Sequence, residues 1–135
     1  MDNLFENEYM IIGSNNITDC LEIIGKKICE TPDDFKRLMQ IVNNYVKNTQ
    51  AKKVIFSLIG FNTEGNEGYL SKEFLPVLAL LGVKHVAVIT GDDTEGESFF
   101  TELSQYTDLI KHEYDIDSEQ FKTLQEGLHW IKTKE

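Results

Sequence analysis

From residue 31 onward the chain alternates between two patterns: short apolar runs, and longer stretches whose apolar residues recur every three or four positions. The runs at 54–58, 83–90 and 109–116 have the length of buried strands. Each is separated from the next by enough residues for a helix. Parallel strands require such a crossover, whereas antiparallel ones can be joined by a tight turn. The alternation therefore constrains the chain to an α/β fold, with helices packed on a mostly parallel sheet.

The opening differs. Apolar runs at 8–14 and 20–24 flank the turn-rich Asn15-Asn16-Ile17-Thr18-Asp19, which reads as an antiparallel hairpin added to one edge of the sheet. The expected order is β-β-α-β-α-β-α-β-α, a mixed sheet with about four helices. At 135 residues this is one domain, spanning 1–135. A chain of that size buries roughly two thirds of its unfolded surface and needs no metal or disulfide to hold a core.

The first helix has the clearest start. Thr31 can cap it, Pro32 suits the first helical position, and Asp33 and Asp34 meet the positive end of the helix dipole. Phe35, Leu38, Met39, Val42, Tyr45 and Val46 then share one face as far as about Lys47. The second helix ends at Leu81 before Gly82, starts somewhere between Thr63 and Ser71, and should kink at Pro76. Thr94 and Glu97 form a capping box opening a third, which runs to about Tyr106. The last carries Phe121, Leu124, Leu128 and Ile131 on one face. Two starts fit it equally, Ser118, or Thr123 with Glu126 as capping partner.

Charge narrows the partners. The formal net charge is −10, with a single arginine, Arg37. Nucleic-acid binding depends on clustered cations that neutralise phosphates, so nucleic acid is excluded as a partner. The N-terminal Met1-Asp2-Asn3-Leu4-Phe5-Glu6 has the wrong charge for a signal peptide, and no apolar run approaches the ~20 residues of a membrane-spanning helix. A cytoplasmic location is expected.

Chemistry-bearing motifs are scarce. Gly91 and Gly96 frame a loop between strand and helix like that of a phosphate site, but the lysine position holds Glu97, and Asp92, Asp93 and Glu95 would repel a phosphate. Cys20 and Cys29 belong to no metal-ligand spacing, and His85, His112 and His129 form no cluster. No nucleophile elbow is present. No cofactor, metal or catalytic residue is expected, and the chain reads as a non-enzyme. A small ligand would meet the carboxyl ends of the central strands. There Ser57, Phe61, Asn62, Thr63, Tyr69 and Phe74 are the candidate binding residues, the aromatics offering apolar area and the others hydrogen bonds. The alternative reading of each is plain: the aromatics fill the core, and Thr63 or Asn66 caps a helix.

Taken together, several segments resemble the SpoIIAA-like, or STAS-like, domains related to anti-sigma-factor antagonists and to the lipid-binding Sec14/CRAL-TRIO fold. They are Leu21-Glu22-Ile23-Ile24-Gly25, Thr31-Pro32-Asp33-Asp34-Phe35, Lys53-Val54-Ile55-Phe56, Glu73-Phe74-Leu75-Pro76 running into Leu81-Gly82-Val83-Lys84-His85-Val86-Ala87-Val88, and the tail 123–131. The resemblance covers the chain from about Leu4 to Ile131. It implies a bacterial binding or regulatory module with a protein partner or, by the Sec14/CRAL-TRIO likeness, a small lipid or other apolar ligand. Two departures stand out. The Asp-x-Ser-Gly turn of phosphorylated antagonists is absent from 57–63, so a kinase-switched role is not implied. Ser57 and Tyr69 stand where this subgroup often has Asp and Trp. A homodimer is also expected, because the hairpin edge at 9–12 carries few charges to blunt its unpaired backbone.

Overall fold

The structure, a computed structural model, describes residues 2–15, 19–27, 31–57, 73–89 and 116–134. Strands β1 (Asp2–Glu6), β2 (Met10–Asn15) and β3 (Cys20–Gly25) lead into helix α1 (Pro32–Thr49) and strand β4 (Lys53–Ser57). Helix α2 (Leu75–Leu80), strands β5 (His85–Ile89) and β6 (Asp117–Phe121), and helix α3 (Leu124–Lys132) follow. The six strands form one sheet in chain order. β1 to β3 pair antiparallel, and β3 to β6 pair parallel. The mixed α/β sheet inferred from the alternation is present. Three helices lie among the described residues, and the helix expected over 94–106 falls outside them.

Local chemistry explains the first helix. Thr31 Oγ1 accepts a hydrogen bond from the Asp34 amide at 3.2 Å, with Pro32 opening the helix and Asp33 and Asp34 in its first turn. The helix runs two residues beyond Lys47 because Gln50 supplies the left-handed stop, φ 55°, that glycine usually provides. Phe35, Leu38, Met39, Val42 and Val46 are buried along one face. Burial stabilises by roughly 1.5–3 kcal/mol for each large apolar side chain, so this face fixes the helix on the sheet.

The two sheet faces carry separate cores, because successive side chains on a strand point to opposite sides. On one face Met10, Ile12, Leu21, Ile23, Val54, Phe56, Val86 and Val88 pack with α1 and α2. Successive crossovers of one hand, between strands added in one direction, place both helices there. On the other face Cys20, Ile55, Ala87 and Ile89 pack with Ile131 of α3. That helix lies over β4, β5 and β6.

The hairpin of β2 and β3 is present as expected, and the described residues extend or refine the other readings. The opening is a three-stranded meander, since residues 2–6 pair with β2 through a bulge between Asn3 and Phe5. Phe5 packs on Tyr45 with ring centroids 5.7 Å apart, and Lys26 holds Glu6 at 2.7 Å. The hairpin edge on which the homodimer expectation rested is therefore covered by β1. The last described strand is Asp117–Phe121, while residues 109–115 lie outside the described residues. Finally, Ser118 and Phe121 belong to that strand, and α3 starts after Thr123, whose Oγ1 accepts from the Glu126 amide at 3.2 Å and donates to Glu126 Oε1 at 2.9 Å. In α2, Pro76 sits where a wider turn at Glu73 and Phe74 tightens into the α-helix, and Gly82 follows with φ 99°.

Candidate functional site

The parallel register brings one row of residues together at the carboxyl ends of the strands. Ile24 pairs with Ser57, Ser57 with Ile89, and Ile89 with Phe121. Alternation along β4 places Ser57 on the same face as Ile55, the face that α3 covers. Ser57 is buried, and it is the polar member of an otherwise apolar row.

Phe74 lies on the opposite side of the sheet. It is 2% exposed and packs on Phe56, with ring centroids 5.4 Å apart. The sheet thus separates Ser57 from Phe74. Phe74 is a core residue, held in place by the large apolar area it removes from water. Phe61, Asn62, Thr63 and Tyr69, like the acidic loop at 91–97, lie outside the described residues.

Next to Ser57 stands a group the sequence reading passed over. Glu22, on β3, is 4% exposed, and it pairs in register with Gly13 on β2 and Ile55 on β4. Ser57 is two positions beyond Ile55, so Glu22 and Ser57 are diagonal neighbours on one face. The Asn15 amide donates to Glu22 Oε2 at 3.1 Å. Burying a carboxylate costs free energy unless hydrogen bonds or charge offset it, and one side-chain amide offsets only part of that cost. The signal was present in Leu21-Glu22-Ile23, a lone acid inside an apolar strand.

A second polar group gathers at the other end of the strands. His85 Nδ1 on β5 lies 3.4 Å from Asp117 Oδ2 on β6, and Lys134 Nζ lies 3.3 Å from the same oxygen. The Lys134 ammonium also stands 4.8 Å from the centre of the Trp130 ring. Trp130 meets His85 edge-on at 6.3 Å and Phe121 at 5.6 Å. No local pattern announces this cluster, because its members come from β5, β6 and α3.

Among the described residues no group of three or more His, Cys, Asp or Glu side chains is placed to hold a metal ion. Cys20 is buried and in no disulfide, and Cys29 lies outside the described residues. No helix among the described residues is long and apolar enough to cross a membrane. No protein family matches the chain, and no curated protein or solved structure does.

Proposed function

We propose that the chain is a cytoplasmic, non-enzymatic binding or regulatory module of STAS-like fold, whose ligand or partner meets the carboxyl ends of β3, β4 and β5. One observation carries this reading: Ser57 and Glu22, two polar side chains, are held nearly buried as diagonal neighbours on one face of the sheet. A carboxylate kept in such surroundings is retained against its desolvation cost, which a donor group on a bound molecule would offset. Sites at the carboxyl ends of parallel strands are the rule in open α/β sheets. Phe61, Asn62, Thr63 and Tyr69 follow Ser57 in the chain and are the proposed walls. Glu22 favours a neutral or cationic group over an anion.

The second reading is a carrier of a lipid or other apolar ligand, of Sec14/CRAL-TRIO type. The apolar row of Ile24, Ile89 and Phe121 beside Ser57 favours it. Native mass spectrometry of protein taken from cells separates the two. A co-purifying small molecule, or a mass shift on adding neutral lipids, supports the carrier. A bare protein that captures a protein partner through the Ser57 end supports the module. Glu22→Gln and Ser57→Ala should retain the fold and lose the bound species; binding unchanged in both would place the site elsewhere.

A further inference from the structure

We infer that the group received beside Glu22 is a primary ammonium carried on an apolar stem, with Glu22 Oε1 as its acceptor. The inference rests on the reading of Glu22 as part of a binding site, and it names what that site selects. Glu22 is 4% exposed, and among the described residues the one hydrogen bond to its carboxylate comes from the uncharged Asn15 amide, 3.1 Å from Oε2. No described lysine, arginine or histidine pairs with it. Oε1 accepts from no described group, yet it is not one of the sealed, unsatisfied atoms of the interior. A carboxylate taken out of water needs an opposite charge as well as hydrogen bonds to offset its desolvation. The described residues supply one bond and no charge.

The surroundings decide between donors. On β2 the register partner of Glu22 is Gly13, which puts no side chain beside the carboxylate; on β4 it is Ile55, fully buried. Cys20 and Ile24 flank it on the same face of β3. This apolar frame suits an alkyl stem that carries its charge at the tip. A hard metal ion takes about six to eight oxygen ligands, whereas no three acidic, histidine or cysteine side chains gather among the described residues. A guanidinium meets a carboxylate as a planar fork on both oxygens, and Asn15 already holds Oε2. A hydroxyl or amide brings a bond without charge. An ammonium brings charge and three N–H donors in compact form, so it completes Oε1 without displacing Asn15. A free alkylamine and the lysine side chain of a partner protein share this chemistry.

The experiment titrates the whole protein with n-butylammonium chloride and, separately, with 1-butanol, n-butylguanidinium and a lysine capped at both ends. NMR follows the Glu22 carboxyl carbon and the amides of Gly13, Glu22 and Ile55. The expected result is saturable binding of butylammonium centred on these residues, about tenfold tighter than 1-butanol or n-butylguanidinium. Glu22→Gln should remove that preference. Tighter binding of the capped lysine than of butylammonium supports the ammonium as a partner's side chain, and the reverse supports it as a small amine. Butylammonium and 1-butanol binding alike, the guanidinium binding tighter, or a preference that survives Glu22→Gln overturns the proposal. The first two criteria use the unaltered protein and hold even where the variant fails to fold. If Glu22→Gln loses the species captured from cells while butylammonium shows no preference over 1-butanol, the ammonium falls and the binding reading stands.

Discussion

Gly127 of α3 lies directly against Ile89 of β5. A side-chain carbon at 127 would run into the Ile89 Cδ1 methyl, and would come within 3.6 Å of the Ala87 Cβ. The glycine thus lets the helix approach the sheet closely here, with Ile89 itself fully buried. Gly127→Ala sets two effects against each other. Alanine favours the helix by about 1 kcal/mol, while overpacking a closed core costs about 1–3 kcal/mol. The clash should win, lowering stability by about 1 kcal/mol in urea unfolding. In an Ile89→Val background, which removes the clashing methyl, the same change should be neutral or stabilising. A double-mutant cycle reads the coupling.

Phe74 should behave as a core residue. Phe74→Ala opens a cavity against Phe56 and should cost about 3–5 kcal/mol, seen as a lowered denaturant midpoint. Phe74→Leu should restore most of the loss. A variant that unfolds normally yet loses only binding would return Phe74 to the ligand site.

The two threonine caps should each contribute about 1 kcal/mol. Thr31→Ala removes the acceptor for the Asp34 amide, and Thr123→Ala removes both the acceptor for the Glu126 amide and the donor to its carboxylate. Thr123→Ser should preserve stability within a few tenths of that, and Thr123→Val should not. Thermal unfolding measures both pairs.

Tyr45 protects the edge of the sheet. Its hydroxyl donates to the Leu4 carbonyl at 3.4 Å, at the bulge, while Asp2 and Glu6 place charge on the same strand. Bulges and charges are the usual means of discouraging strand-to-strand association. Tyr45→Phe combined with Glu6→Thr should raise self-association at high micromolar concentration, read by light scattering against the unaltered chain. An unchanged mass would show that β1 is protected by other means.

How much of this could be read in advance depended on where each element draws its stability. Helix α1 announces itself because Thr31, Pro32 and Asp34 write its start locally and its buried face repeats with the helical period. Strand β4 does so because Val54, Ile55 and Phe56 are buried on both faces. By contrast, Asp117-Ser118-Glu119-Gln120-Phe121 has one large apolar residue, and it is a strand because β5 pairs with it residue for residue. Strand β1 is similar: Phe5 finds Tyr45 only after α1 has folded back. Of the candidate site, Ser57 was visible as the end of a buried run. The diagonal pairing of Ser57 with Glu22 needed the β3–β4 register, which no local pattern encodes. The same holds for His85 and Asp117.

The chain-order sheet has a consequence for how the molecule is assembled. Every strand lies beside its predecessor, so none must be threaded between two already joined. The array extends outward one ribbon at a time, and β3 with its neighbour β4 is the place where the direction of growth changes from meander to crossover. Up to β3 the segments that must meet are close in sequence, which keeps their loop-closure entropy small. The later additions need longer excursions and should be the slower ones. Stopped-flow folding should therefore show the Tyr9 and Tyr45 side acquiring protection before the Trp130 side, so that the half of the sheet holding Glu22 serves as the template on which the half holding His85 is laid down.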